Sequence, residues 1–149
     1  MKRYSKKALA LFLSLALMVV AIAIPVGAAD ARSSLYLSYY RAWLTPVSDA
    51  KINVNVDVQA VDYMDDVGAL SISMFVSSDG GRTWDSDGTY ASALYPDLLD
   101  HDSVIYYDTA VVHQGIEGYK YYAVVTVYAG DSTGYDTREY QTTTVTARS

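Results

Sequence analysis

The sequence predicts an all-β fold: a single antiparallel β-sandwich that follows an N-terminal signal peptide. Apolar and polar residues alternate along most of the chain after residue 33, which is the period of a half-buried strand. β-Branched and aromatic residues, including most of the 15 tyrosines, are concentrated in the same segments. Turn-forming residues separate about six or seven such segments, and no helical periodicity is sustained. Short strands at regular spacing favour a sandwich over a barrel or a propeller.

The first 28 residues have the layout of a secretory signal peptide. Four basic residues precede the apolar run 8–24, and Pro25 and small residues follow it. We expect cleavage after Ala28, with sites up to residue 31 as alternatives, and a β-sandwich domain over residues 29–149. An uncleaved anchor is the alternative, because a run of 17 residues is at the lower limit for a membrane-spanning helix. The expected location is therefore secreted, in the extracellular space.

Charge and cysteine content restrict the kinds of partner. The whole chain has a formal net charge of −6, and the predicted signal peptide holds four of its 11 basic residues and none of its 17 acidic ones. Residues 29–149 therefore have seven basic and 17 acidic residues, a net charge of −10. Such a surface repels nucleic acid and anionic lipid, so we expect no nucleic-acid partner and no membrane attachment after cleavage. Cysteine is absent, which excludes disulfides and thiol chemistry.

The first half of the domain is predicted to contain three strands. The first covers Leu35–Leu44 and ends in a turn at Thr45–Ala50, which contains proline, serine and aspartate. Lys51–Val61 alternates most clearly, with one apolar face and one face of Asn, Asp and Gln residues. An acid-rich loop, Asp62–Gly68, is expected before the third strand, Ala69–Ser77.

The second half is less regular at its start. Tyr90–Asp102 fits either a short helical turn or an edge strand, and the pattern does not decide between them. Ser103–His113 again has strand character. Tyr119–Tyr128 and Thr137–Ala147 are predicted to form a closing hairpin around Ala129–Asp136.

The segment Gly118–Tyr128 resembles the penultimate strand of immunoglobulin-like and fibronectin type III domains. In those domains a glycine-containing turn precedes a corner tyrosine whose hydroxyl bonds to the backbone upstream. The resemblance implies that Tyr121 has this role, with Tyr119 as the alternative. It refines the expected fold to an immunoglobulin-like sandwich.

A second motif matches the Asp-box pattern S-x-D-x-G-x-T-W of sialidases and related propeller proteins. Its pattern residues are Ser77, Asp79, Gly81, Thr83 and Trp84. The aspartate can accept hydrogen bonds from the turn backbone, while the tryptophan packs back over the turn. One copy in a short chain does not support a propeller, so the expected role is structural.

Catalytic residues are not apparent, and we expect no enzyme activity. Glu117 and Glu139 are the only glutamates, and no spacing identifies a pair of carboxylates for glycoside hydrolysis. His101 and His113 are the only histidines, and no serine occupies a G-x-S-x-G motif. Two histidines without cysteine also match no standard zinc spacing.

Calcium is the one ion that the sequence brings into consideration. Asp85, Asp87, Asp100 and Asp102 would supply hard oxygen ligands if they lie in loops. None completes an EF-hand pattern, so solvated acidic turns are the simpler interpretation. We therefore expect no cofactor, with calcium as a weak candidate.

The export signal and four segments of the domain resemble a group of small, uncharacterised secreted proteins from Gram-positive bacteria, chiefly clostridial ones; the segments are 31–40, Met64–Gly68, Gly118–Tyr128 and Thr142–Ala147. The resemblance covers nearly the whole domain. It implies export and a single β domain, and it implies no mechanism.

These features favour a non-catalytic extracellular binding or adhesion module with a protein or carbohydrate partner. The predicted contact surface is formed by loops, including Asp62–Gly68 and Ala129–Asp136. A secreted hydrolase or inhibitor acting on extracellular polymers, and a structural surface component, remain as alternatives. A concave cluster of Trp43, Trp84 and tyrosine rings would favour carbohydrate. Scattered rings would indicate that the tyrosines only stabilise strands.

Overall fold

Seven antiparallel strands form the fold of the part of the chain that the structure describes. The computed structural model describes residues 34–149, so the predicted signal peptide, with its cleavage sites up to residue 31, lies outside the described residues. The strands are β1 (Leu37–Pro46), β2 (Lys51–Ser77), β3 (Asp85–Ala91), β4 (Leu99–Gln114), β5 (Lys120–Asp131), β6 (Gly134–Gln141) and β7 (Val145–Thr146), with one short 3₁₀ turn at Pro96–Leu98. The all-β prediction is confirmed, and the strands form one curled antiparallel sheet. No helix in the part of the chain that the structure describes is long and apolar enough to cross a membrane.

β2 is the central strand of the sheet, and it is 27 residues long. Its first half pairs with β1 and β4, so that Val58 lies between Tyr40 and Tyr106. Its second half pairs with β5 and β3, so that Ile72 lies between Val125 and Tyr90. One continuous strand therefore joins two groups of strands.

The prediction of a loop at Asp62–Gly68 is wrong, because this segment belongs to β2. The backbone of Asp66 pairs with His101 of β4 and also with Gly130 of β5. The acids suggested a loop, but Asp62 lies in a register irregularity between Gln59 and Met64, where β2 has extra residues relative to β4, and Asp65 and Asp66 follow directly after it in the strand. Such a bulge bends a strand and lets charged side chains reach solvent without ending the pairing.

Gly68 is required where β2 passes the 3₁₀ turn. Its φ angle is +150°, a region that residues with a β-carbon rarely adopt. A β-carbon there would also collide with the carbonyl oxygen of Leu98 and approach the ring of Tyr106 to 3.1 Å. The absence of a side chain therefore allows the buried Leu98 to lie against the strand.

The core follows the alternation that the sequence predicts. Buried apolar residues from all parts of the sheet form one cluster, in which β2 and β5 contribute most. These two strands supply Ile52, Val54, Val56, Val58, Ile72, Met74, Tyr121, Ala123, Val125 and Val127, all of them fully buried.

The closing hairpin is tighter than predicted. β5 and β6 are connected by Ser132 and Thr133 alone, so most of the expected turn Ala129–Asp136 is strand. Asp131 Oδ1 fixes the turn, because it accepts hydrogen bonds from Thr133 N at 2.7 Å and Thr133 Oγ1 at 2.6 Å. These bonds favour the carboxylate and lower the pKa of Asp131.

The predicted strand Thr137–Ala147 is divided into β6 and β7. The interruption begins at Thr142, a buried residue whose amide donates to the Ala123 carbonyl at 2.9 Å. The Thr142 hydroxyl in turn accepts a hydrogen bond from the Ala123 amide at 2.9 Å. A side chain thus replaces one backbone partner of β5, and pairing resumes at Val145 opposite Tyr121.

Candidate functional site

The solvent-facing side of β1, β2 and β4, called the outer face below, carries the most promising group of polar and aromatic residues. Two rows cross the three strands because residues at every second position point outward. The pairing defines these rows as Arg41–Asp57–Tyr107 and Trp43–Asn55–Thr109. Side chains from three strands are therefore fixed beside one another by the register of the sheet.

Two aromatic rings from opposite neighbours of β2 meet above it. The ring centroids of Trp43 and Tyr107 are 6.1 Å apart, and the planes are inclined by 42°. Beside them an open cavity of about 220 Å³ is lined by the two rings, Asn55, Asp108 and Thr109. Tyr107 is 63% exposed, so its ring is available to a ligand.

The floor of the cavity is a chain of hydrogen bonds across the three strands. Asn55 Nδ2 donates to Thr45 Oγ1 at 3.1 Å, and Thr109 Oγ1 donates to Asn55 Oδ1 at 2.8 Å. These two bonds set the orientation of the amide. They leave the Thr45 hydroxyl proton and the lone pairs of Thr109 for other partners.

Arg41 and Asp57 form an ion pair next to the aromatic rings. Arg41 Nε donates to Asp57 Oδ2 at 3.3 Å, and the guanidinium carbon lies 4.6 Å from the centroid of the Trp43 ring. Asp57 is only 5% exposed, and its Oδ1 is buried without a hydrogen-bond partner among the described residues. Burying a carboxylate oxygen without a hydrogen bond costs free energy, and such atoms are rare in folded proteins.

Flat rings beside hydroxyl, amide and carboxylate groups can bind a ligand that has both an apolar face and hydrogen-bonding groups. The rings pack against an apolar face of a ligand, while the polar groups orient its hydrogen-bonding edge. Trp43 and Tyr107 meet at this cavity, but the concave cluster of both tryptophans that would favour carbohydrate is not formed. Trp84 lies elsewhere, in contact with Tyr122 at 4.7 Å between ring centroids, and Tyr122 stacks on Phe75 at 4.8 Å.

The Asp-box segment forms the connection between β2 and β3. Asp79 Oδ1 accepts hydrogen bonds from Ser77 Oγ at 2.7 Å, Arg82 N at 2.9 Å and Thr83 N at 3.0 Å. Its Oδ2 accepts from Thr83 Oγ1 at 2.7 Å, and Ser77 Oγ accepts from Gly81 N at 2.8 Å. Every oxygen of the carboxylate is thus occupied by the turn itself.

This hydrogen bonding has an electrostatic consequence. The Thr83 hydroxyl and amide, with the Ser77 hydroxyl, hold the pKa of Asp79 well below its usual range. The Trp84 ring approaches Gly81, where a β-carbon would lie 3.5 Å from it. Hydrogen bonds between residues of this segment therefore fix the conformation of the turn.

Tyr121 is fully buried, and its hydroxyl accepts a hydrogen bond from the backbone amide of Ile116 at 2.8 Å. The bonded residue lies upstream in the connection between β4 and β5. Burial raises the pKa of the Tyr121 phenol. Tyr119, the alternative for this role, is only partly buried.

His113 connects β3 with β4, two strands that pair with different parts of β2. Its Nδ1 lies 2.9 Å from the Tyr90 hydroxyl, and its Nε2 lies 2.9 Å from Asp87 Oδ2. Burial raises the pKa of the Tyr90 phenol. Both nitrogens are used to hold strands together.

The weak calcium candidates lie in strands, not in the loops where the sequence suggested them. Asp85 and Asp87 belong to β3, where Asp87 contacts His113, and Asp100 and Asp102 belong to β4. Within residues 34–149 no three histidine or acidic side chains converge in a way that would hold a metal ion. The strands separate the acids because each pairs with its own stretch of β2.

Sequence reasoning placed the contact surface on loops and missed the outer face. The sequence does indicate this face, because polar residues, among them Asn55 and Asp57, occupy every second position of 53–59. The partners of these residues could not be identified, because β4 has a register shift between the pairs Val54–Val111 and Asn55–Thr109. A shift of one residue turns each side chain to the opposite face.

Comparison of the chain with protein-family models, with curated proteins and with solved structures gives no match. A function for this chain is therefore inferred from the geometry of its own side chains.

Proposed function

We propose that this chain is a secreted, non-catalytic binding module whose ligand occupies the Trp43–Tyr107 cavity on the outer face. The observation that carries the proposal is the cavity itself, where two aromatic rings from different strands border a fixed polar floor. Binding sites commonly combine apolar walls with a few oriented polar groups. Strands hold such groups more rigidly than loops do.

The carboxylates at the cavity favour binding over the alternative of a hydrolase. Glycoside hydrolysis usually requires two carboxylates that reach opposite sides of the scissile bond. Asp57 is buried and paired with Arg41, so it does not reach a ligand while that pair is intact. Asp108 at the edge of the cavity has no second free carboxylate beside it in the cavity lining.

The finer features of the prediction remain part of this proposal. An immunoglobulin-like sandwich is supported by the corner-like bond of Tyr121 to Ile116 and by the division of β2 between two groups of strands. Secretion is supported by the charge and apolar pattern of residues 1–28. Sequencing the amino terminus of the protein recovered from culture medium would test secretion, and a start at residue 29 is expected.

Trp43→Ala tests the binding site directly. The purified domain is applied to immobilised cell-wall polysaccharides and to a glycan array, with and without this substitution. Loss of a stacked ring removes the largest apolar contact, so we expect at least a tenfold loss of affinity. Isothermal titration with the best ligand measures it.

Tyr63→Ala is the matched control for this experiment. Tyr63 is 73% exposed and lies in the bulge of β2, outside the cavity lining. It should bind like the unsubstituted protein. Equal losses in both variants, or no loss with Trp43→Ala at an unchanged melting temperature, would contradict the proposed site.

A structural surface component is the second candidate, and the open edge of β4 favours it. This 16-residue strand pairs only with β2 among the described strands, and it exposes Val104, Ile105 and Val112. Long apolar edge strands pair with other chains. Light scattering after size exclusion would reveal such pairing, and Ile105→Lys should then abolish it.

A further inference from the structure

The charge distribution on the outer face limits the class of ligand that the cavity can take. Two cations belong to this face, Arg41 in β1 and Lys51 at the start of β2, and each is near a carboxylate. Arg41 Nε is 3.3 Å from Asp57 Oδ2, and Lys51 Nζ is 4.0 Å from Asp49 Oδ2. Each cation therefore has a negative charge beside it, which weakens the attraction that an anionic group of a ligand would meet.

The polar groups that line the cavity are suited to hydroxyl groups. Thr109 and Asp108 offer acceptor atoms, and the Tyr107 phenol offers a hydroxyl that can donate or accept. A sugar hydroxyl both donates and accepts, so it can use this mixture without leaving a group unpaired. A ligand that carries carboxylates or phosphates brings only acceptors, and it would face the carboxylate of Asp108 in the cavity lining.

The size of the cavity limits the number of sugar units. Sites for drug-sized ligands have volumes of about 300–1,000 Å³. The volume here is about 220 Å³, which suits one six-membered ring stacked on Trp43 or Tyr107. Further units of a chain would extend over the open surface.

From these observations we propose that the cavity binds one neutral pyranose unit and discriminates against anionic sugars, and that Asp57 enforces this selectivity by neutralising Arg41. The inference rests on the proposed binding function. Asp57 acts as a positioning residue, because it holds the guanidinium near the Trp43 ring and places a compensating negative charge beside it. A selectivity role also explains why a carboxylate with one unpartnered oxygen is kept in this position.

Asp57→Asn provides a gain-of-function test. Affinities for a neutral probe, a cellotriose or a mannotriose, and for an anionic probe, trigalacturonic acid, are measured by titration at low and at physiological salt. The unsubstituted domain should bind one of the neutral trimers and bind the anionic trimer at least tenfold more weakly. Asp57→Asn should strengthen binding of the anionic trimer by roughly two- to fivefold, since a freed surface charge has about that effect.

Asp49→Asn is the matched control, because it makes the same charge change and frees Lys51 at the far end of the face. It should leave the binding of trigalacturonic acid unchanged. Equal affinity of the unsubstituted domain for anionic and neutral trimers would overturn the inference, as would an unaltered preference in Asp57→Asn. Weaker anionic binding at high salt in Asp57→Asn alone would support it.

The failures of the two proposals are distinguishable. If Trp43→Ala abolishes capture of a cell-wall protein while no trimer binds, the binding function stands and the carbohydrate inference fails. If an anionic glycan binds tightly through Trp43, the site stands and the charge selectivity fails. If Trp43→Ala changes nothing for any ligand, both fail.

Discussion

At the scale of single residues, the two carboxylates Asp79 and Asp57 illustrate opposite uses of an acid. Asp79 is exposed to solvent, and both of its oxygens accept hydrogen bonds from its own turn. Asp57 is buried, has one ion-pair partner, and leaves Oδ1 without a hydrogen bond within the described residues. The first arrangement stabilises the local turn, and the second leaves a costly unpartnered oxygen in the interior.

This difference predicts how stability responds to amide substitution. Arg41 is half-exposed, so its pair with Asp57 contributes at most about 1 kcal/mol. Asparagine keeps a polar atom at the unpartnered position but removes the buried charge, which is the more costly group to desolvate, so Asp57→Asn should leave the free energy of unfolding unchanged or raise it by up to about 2 kcal/mol. Urea denaturation measures this effect.

Asp79→Asn serves as the contrasting variant in that experiment. An amide cannot replace both acceptor oxygens, so we expect the melting temperature to fall by several degrees. If Asp57→Asn destabilised the domain as much as Asp79→Asn does, Asp57 would be a structural residue.

At the scale of elements, strand β2 shows which features of the fold can be predicted from the sequence and which cannot. Its apolar face Ile52 to Val58 was readable from alternation, because one face is buried and the other is solvated. The Asp-box turn was readable because its residue types specify their own hydrogen bonds. The continuity of β2 through Asp62–Gly68 was not, since a strand that carries acids on a bulge has the composition of a loop.

The candidate site was harder to predict than the fold for a related reason. Trp43 was recognised as a candidate, but Asn55, Tyr107 and Thr109 become neighbours only through the register of three strands. That register includes an irregularity in β4, which no local pattern specifies. Long-range pairing, and not residue type, therefore assembles the site.

Gly68→Ala tests the close passage of β2 and the 3₁₀ turn. The added carbon would require a strained φ angle and a shift of the Leu98 backbone, so we expect a loss of roughly 2–4 kcal/mol in unfolding free energy. Chemical denaturation followed by tryptophan fluorescence measures it. Gly88→Ala is the control, because that position also has a positive φ but a β-carbon there meets nothing within 4 Å. Equal losses would show that backbone strain alone, without the collision, accounts for the effect.

At the scale of the whole molecule, three aspartates make stability depend on pH. Hydrogen bonds lower the pKa of Asp79, Asp131 and Asp136, and the Ser34 hydroxyl is the main partner of Asp136. In the unfolded chain the pKa of an aspartate is about 3.9. A lowered folded pKa contributes stability that is complete above the unfolded pKa and is lost as the pH falls through the folded value.

We therefore expect the melting temperature to decrease between pH 5 and pH 2, as these carboxylates become protonated. Calorimetry at constant ionic strength across this range provides the measurement. Asp79→Asn should flatten the decrease, because one of the contributing groups no longer titrates. A melting temperature that rises on acidification in the unsubstituted domain would show that relief of acidic repulsion dominates instead.

The length of β2 also has a consequence for the order in which the chain can fold. The hairpins of β2 with β1 and β3 involve neighbouring residues, but β4 and β5 must close loops of tens of residues to reach the same strand. Non-local pairing of this kind slows folding to roughly milliseconds to seconds. β7 and the buried Ala147 complete the edge beside β5. The complete sheet therefore forms only when segments from both ends of the described residues have come together on β2 and β5.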